Sequence, residues 1–292
     1  MSQHGDPLES GDAGECAPAW DVLLAEPQRF VVGLDFDGTL APIVDDPTAA
    51  HIHPDAPALM AAVAARTGGL AVVTGRPVRQ ALALGELEEV GALVERSGGR
   101  FAVLGQYGNE RWDAHTRRLT TPLPPRGLAT FLAELPVLLR HADAADAFVE
   151  SKGLAVAVHT RRMPDSLAVY ARLEEPLTAA AKAHGLTVEP GRQVIEVRAP
   201  GMDKGVALRR LVTEWDAASV LYAGDDLGDV EAFLALRDLR SGDGFDARVV
   251  AAHTGDGPAQ LLDLADHRVD GPAGVVAMLR DLLARLDELG AA

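Results

Sequence analysis

The chain has a single cysteine, Cys16. That excludes an intramolecular disulfide framework and a cysteine cluster for zinc. Aromatic residues make up only 4% of the sequence, and basic residues are outnumbered, 27 Lys and Arg against 43 Asp and Glu, for a formal net charge of −16. Such a balance argues against a general nucleic-acid or anionic-membrane surface. No apolar run approaches the roughly 20 residues of a membrane-spanning helix. The start of the chain lacks a basic segment followed by an apolar one, so no signal peptide is expected, and a cytoplasmic location is the simplest expectation. Residues 1–17 are polar and acidic, with Gly5, Gly11 and Gly14; they are expected to form a disordered tail. Neither G-x-G-x-x-G nor G-x-x-x-x-G-K-[ST] occurs, so dinucleotide and P-loop readings lose support. Internal repeats are absent too.

What is present is enough apolar material for a sizeable core: 292 residues, 48% hydrophobic, dominated by Ala, Leu and Val. Short apolar runs alternate with helical patterns in the first third. Strands are expected at Phe30–Leu34, Gly69–Thr74, Ala92–Glu95 and Phe101–Leu104, with helices at Ala56–Arg66 and Val78–Leu84. The alternation returns after Asp203, with a helix at Lys204–Trp215 and a strand at Val220–Gly224. Beyond it come a helix at Val230–Leu236, a strand at Arg248–Ala252 and a helix at Pro272–Leu289. The last carries an apolar stripe of Val275, Val276, Leu279, Leu282, Leu283 and Leu286. This pattern predicts an α/β fold, a doubly wound Rossmann-like parallel sheet with helices on both faces. Between the halves, Glu110–Thr121 reads as a polar hairpin punctuated by prolines. Helices follow at Gly127–Ala142 and Asp165–His184, the latter bent or restarted at Pro176, interleaved with strands near Phe148–Glu150, Leu154–His159, Thr187–Glu189 and Gln193–Val197. The expected organisation is a core of 18–106 and 201–292 interrupted by an α+β cap, 107–200, with hinges near 106–110 and 198–203.

Four polar signals fall at expected strand ends or helix starts. Asp35 and Asp37 follow the first strand at i, i+2, which on extended backbone places both on one face. Thr74-Gly75-Arg76-Pro77 follows the second strand, Lys204 opens a helix, and Gly224-Asp225-Asp226-Leu227-Gly228-Asp229 follows a later strand. Open parallel sheets bind ligands beyond the carboxyl ends of their strands, so the four signals converge on one crevice. Each suits phosphoryl transfer, where the protein supplies positioning and positive charge. Asp35 can attack phosphorus; Asp37 can move the proton of the leaving oxygen and of water. Thr74 and Lys204 can hold phosphate oxygens. Asp35, Asp37 (through its carbonyl) and Asp225, with Asp226 or Asp229 in support, offer the oxygen ligands a Mg²⁺ ion prefers. Gly38 lets backbone approach a ligand, and amides at Gly38 and Thr39 can form an anion nest. Taken singly, each signal has a plain structural use. Asp35 and Asp37 could be turn carboxylates, Thr74 a helix cap, Lys204 a solvated side chain and Asp225–Asp229 capping chemistry.

Asp35-Phe36-Asp37-Gly38-Thr39, Thr74-Gly75-Arg76, Lys204 and Gly224-Asp225-Asp226 resemble the four motifs of the haloacid dehalogenase superfamily of phosphohydrolases. Finer features resemble its trehalose-6-phosphate phosphatase family. These are Asp35–Val44, Glu150-Ser151-Lys152-Gly153 followed by Ala157–Arg161, Gly191–Lys204, and Tyr222–Asp229. The resemblance implies a Mg²⁺-dependent phosphatase of trehalose biosynthesis, working through an aspartyl-phosphate on Asp35. It implies a small phosphosugar substrate and a functional pairing with a trehalose-phosphate synthase. It also implies a phosphate contact from Arg76 and sugar contacts from Glu150, Lys152, Arg161 and Glu196. The sequence departs from the family at Tyr107, where many relatives carry His, at Gly228 in place of Thr, and in the link Arg198-Ala199-Pro200. Alternatives are another sugar-phosphate phosphatase, a phosphosugar mutase, or a non-catalytic regulatory subunit.

Overall fold

The structure, a computed structural model, describes residues 20–44, 46–191, 193–242, 244–253 and 257–291. The expected tail over 1–17, with Cys16, lies outside the described residues. Strands run in chain order as β1 (Phe30–Leu34), β2 (Gly69–Val73), β3 (Phe101–Gly105), β4 (Glu110–Asp113), β5 (Arg118–Thr120), β6 (Phe148–Ser151), β7 (Ala155–His159), β8 (Thr187–Gly191), β9 (Val194–Arg198), β10 (Ser219–Gly224), β11 (Asp246–Ala252) and β12 (His267–Val269). Helices are α1 (Trp20–Leu23), α2 (Ala56–Ala64), α3 (Val78–Leu84), α4 (Leu87–Arg96), α5 (Leu128–His141), α6 (Ser166–Ala183), α7 (Lys204–Trp215), α8 (Val230–Arg240), α9 (Ala259–Leu264) and α10 (Gly271–Ala291).

An eight-stranded sheet has the order β12-β11-β10-β1-β2-β3-β4-β5. It is parallel from β12 to β3 and antiparallel through β4 and β5. The expected doubly wound sheet is therefore present. Strand alternation divides its core in two. Phe30, Val32 and Leu34 pack with α2, α3, α4 and α10. Val31, Val220 and Tyr222 pack with α7 and α8 on the opposite face. Gly33 lies under the Tyr222 ring, where a Cβ would come within 2.7 Å of Cδ2.

A four-stranded antiparallel sheet, β6-β7-β9-β8, carries its own apolar cluster. Val156, Val158, Ile195 and Val197 bury one face under Phe131 of α5 and Leu173 and Leu177 of α6.

Three expectations are corrected. Ala92–Glu95 is not a strand but the last turn of α4, whose buried Leu87, Val90, Gly91 and Val94 repeat at helical spacing. α6 runs through Pro176 as one helix, so it does not restart there. The hairpin expected to open the cap is instead part of the large sheet, because Leu104 and Gly105 of β3 pair with Arg111 and Glu110 of β4. The chain thus passes between the sheets at 121–127, rather than at 106–110, and returns at 199–203.

Candidate active site

β1 lies between β10 and β2, so the residues after those three strands share one rim. Asp35 follows β1 and donates its amide to the Ala223 carbonyl at 2.9 Å. Its carboxylate Oδ1 lies 2.7 Å from Lys204 Nζ, the first residue of α7. Lys204 also donates to Asp229 Oδ1 at 2.7 Å, and the Tyr222 hydroxyl donates to that same oxygen at 2.6 Å. Asp229 Oδ2 accepts the amides of Asp225 and Asp226 at 3.1 and 3.3 Å. Four donors therefore saturate the Asp229 carboxylate, which is 0% exposed. Thr74 follows β2, and its Oγ1 accepts the Arg76 amide at 3.1 Å. Thr39 is fully buried, and its hydroxyl has no hydrogen-bond partner among the described residues.

Asp35, Asp225 and Asp229 each present a carboxylate oxygen within 4.8 Å of the others. Burial first, then the Asp35 charge, pushes the Asp225 carboxyl up to about 10. Burial also pushes Asp35 well up, against the pull of Lys204. Burial alone would lower Lys204, but Asp229 and Asp35 hold it charged, well above the ordinary lysine value. An all-oxygen cluster with more negative charge than one ammonium can balance fits a hard divalent cation. Since Asp229 is already saturated, Asp35 and Asp225 are the carboxylates with capacity for it. Gly38 explains how closely these parts approach. Its φ is +74°, and a Cβ there would lie 2.0 Å from Asp225 Oδ2.

The side chains of Asp37 and Asp226 are engaged outside the carboxylate cluster, which leaves the Asp37 carbonyl as the metal contact expected of that residue. Asp37 is gripped at both oxygens by Arg76, Nε and Nη2 each at 2.6 Å. Asp226 accepts the Gly228 amide at 2.8 Å and forms a reciprocal cap with Asp229 ahead of α8. Short carboxylates before a helix start satisfy its free amides, and here that use claims the Asp226 side chain.

The second sheet turns a charged face toward this rim. Register places Glu150, Ala157, Glu196 and Glu189 in one row, with Ala155 and Arg198 in the next. Lys152 Nζ pairs with Glu196 Oε2 at 2.6 Å, Glu150 Oε2 with His159 Nε2 at 2.9 Å, and Arg198 with Glu189 at 2.7 Å. Glu196 Oε1 and two Arg198 nitrogens are buried with no hydrogen-bond partner among the described residues. Glu150 is held below the usual carboxylate range, chiefly by His159, with Lys152 and Arg76 adding to the effect. Arg161 lies exposed in the turn after β7, past the His159 end of this face. The sequence pattern assigned no site role to Arg198, Glu189 or Tyr222. Their side chains matter through cross-strand neighbours, which spacing along the chain does not reveal.

Residues 139–261 match the family model described as trehalose-phosphatase. An uncharacterized glycosyl hydrolase of Mycobacterium tuberculosis is 33% identical over 276 residues, 89% of this chain but 19% of that protein. The chain thus spans about a fifth of the length of the first curated relatives it matches (19%). A probable trehalose-phosphate phosphatase of Sinorhizobium fredii is 29% identical over 235 residues, 78% of this chain and 82% of that one. The C-terminal domain of a C. albicans trehalose-6-phosphate phosphatase superposes with a TM-score of 0.68 at 20% identity, over 92% of this chain and 97% of that one. A haloacid dehalogenase-like hydrolase from Bacteroides thetaiotaomicron gives 0.60 at 16% identity, over 86% and 98%. Over residues 139–261 the chain is similar in sequence to the trehalose-phosphatases, and its fold is similar to that of a haloacid dehalogenase-like hydrolase.

Proposed function

We propose that this chain is a Mg²⁺-dependent phosphatase that hydrolyses trehalose 6-phosphate to trehalose and phosphate. The observation that carries the reading is the union of Asp35, Lys204 and Asp225 at one sheet rim, faced by the Glu150–Lys152–Glu196 face of a second sheet. Asp35 attacks phosphorus, the bond to the sugar oxygen breaks, and Asp37 protonates that oxygen as it leaves. Water then attacks the aspartyl-phosphate, Asp37 takes its proton, and phosphate departs with Asp35 restored. Lys204 and Thr74 stabilise the outer phosphate oxygens. Arg76 now grips Asp37; an arriving phosphate offers that guanidinium a second anion and frees Asp37 to reach the leaving oxygen. Asp35 and Asp225, with the Asp37 carbonyl, would hold Mg²⁺, which would neutralise charge as a carboxylate meets a phosphate. Glu150, Lys152 and Glu196 carry the donors and acceptors that sugar hydroxyls require.

A relative in Thermoproteus tenax is described as a bifunctional trehalose-6-phosphate synthase/phosphatase, which supports a functional pairing with a synthase. The test is phosphate release from a panel of phosphosugars, with Mg²⁺ and with chelator. Trehalose 6-phosphate is expected to give the highest kcat/KM. A preference for sucrose phosphate or a monosaccharide phosphate would overturn the substrate. Asp35→Asn is expected to abolish turnover with the fold intact, and retained turnover would remove the covalent step.

A further inference from the structure

The small sheet meets the large one through the turn that follows β3. The amides of Gln106 and Tyr107 donate to the carbonyls of Arg76 and Thr74 at 2.9 and 3.0 Å, tying this turn to the loop that holds Asp37. Gln106, Tyr107 and Gly108 all have positive φ, 46°, 59° and 88°. Two consecutive residues with side chains in that region are strained, and such conformations persist only where surrounding contacts hold them. The contacts here are specific. Tyr107 extends its ring over Gly75, where a Cβ would come within 3.0 Å of its Cζ and hydroxyl. The Arg198 guanidinium stacks on the ring, 3.9 Å from its centroid. Arg198 is the last residue of β9, immediately before the return crossing, and Glu189 of β8 holds its far side. Gln106 Oε1 accepts the Leu154 amide at 3.3 Å, beside the strand that carries Ala155 and Ala157.

We propose that Tyr107 is a positioning residue that seats the charged face of the small sheet over the crevice, with Arg198 as its counterpart. The proposal rests on the phosphosugar reading, because seating matters only for a substrate that the second sheet must read. A stack between a desolvated guanidinium and an aromatic face shifts a two-state equilibrium by about tenfold. Loss of the ring therefore unseats the sheet without removing any group that handles phosphate.

The experiment compares wild type, Tyr107→Phe, Tyr107→Ala and Arg198→Lys, using trehalose 6-phosphate and p-nitrophenyl phosphate, with hydrogen exchange at the Leu154 amide in the ligand-free protein. Tyr107→Ala is expected to raise KM for trehalose 6-phosphate about tenfold with kcat within about threefold. Its kcat/KM for p-nitrophenyl phosphate should stay within about twofold, and Leu154 should exchange about tenfold faster. Tyr107→Phe, which keeps the ring, should restore all three values. Arg198→Lys keeps the charge opposite Glu189 but loses the planar stack; it should show the same split, and it carries the test if Tyr107→Ala does not fold. Equal losses on both substrates, a Phe variant as impaired as Ala, or unchanged KM would overturn the proposal. If wild type hydrolyses p-nitrophenyl phosphate but not trehalose 6-phosphate, the substrate reading fails. The seating claim is then decided by Leu154 exchange, unchanged exchange refuting it.

Discussion

Tyr222→Phe removes one oxygen atom and isolates one link of the buried network. The Tyr222 hydroxyl donates to Asp229 Oδ1 at 2.6 Å, and Phe233 and Gly33 enclose the ring, so its apolar packing survives the change. Asp229 keeps three donors, Lys204 at 2.7 Å and two amides at 3.1 and 3.3 Å. A hydrogen bond to a charged group contributes about 1.5–3 kcal/mol. With three donors left to satisfy the carboxylate, the lower part of that range is expected, about 1.5–2 kcal/mol. Burial first, and Asp229 second, hold the Tyr222 phenol well above its ordinary value. It therefore keeps its proton across about pH 6–9, and the loss should be flat over that range. Urea unfolding of wild type and variant at several pH values measures it, with the slope of the transition unchanged. Because Asp229 orients Lys204, kcat should also fall, about three- to tenfold. A loss below about 0.5 kcal/mol, or one that vanishes at high pH, would show that the hydroxyl does not hold Asp229.

Three further outcomes follow from the same geometry. Asp225 is pushed up to about 10 and Asp226 to about 6, in both cases first by burial. An unfolded carboxyl titrates near 4, so the folded state holds extra protons between about pH 4 and 10, and metal-free stability falls as pH rises through that window. Mg²⁺ should then raise Tm more at about pH 8.5 than at about pH 5.5, against a chelator control; equal shifts would count against a cation at Asp35 and Asp225. Gly38→Ala places a carbon 2.0 Å from Asp225 Oδ2 on backbone with φ +74°; kcat should drop at least about a hundredfold, with a stability cost of about 1–2 kcal/mol. Wild-type turnover in that variant would refute the close approach. Glu196→Gln removes the charge that Lys152 meets at 2.6 Å. It should raise KM for trehalose 6-phosphate about tenfold and leave p-nitrophenyl phosphate hydrolysis unchanged, and matched losses would place Glu196 outside sugar recognition.

Much of the large sheet was legible because its strands are short apolar runs that end in polar clusters. The β1 run ending at Asp35 and the β10 run ending at Gly224 are clear cases. Ala92–Glu95 misled because a short apolar stretch has too few residues to separate a period of 2 from one of 3.6. The hairpin at Glu110–Thr120 misled for another reason. Its polar, proline-flanked sequence identifies a hairpin but not which sheet edge receives it, a choice made by pairing with β3. The Asp225–Asp229 run was ambiguous between capping and metal binding, and the structure divides it. Asp226 caps, Asp229 is saturated by donors, and Asp225 stays beside Asp35.

By itself the sequence determined the chemical inventory at the rim: Asp35, Asp37, Thr74, Lys204 and Asp225, each at the end or start of an element recognisable from local pattern. Only the tertiary structure decided how those groups are shared. Lys204 stands between Asp35 and Asp229, Tyr222 supports Asp229 from below, Arg76 restrains Asp37, and Tyr107 carries Arg198 on its face. The physical reason is that residue type and period act locally, whereas these partnerships cross between strands far apart in the chain. There, burial makes each pairing strong and each unpaired group costly.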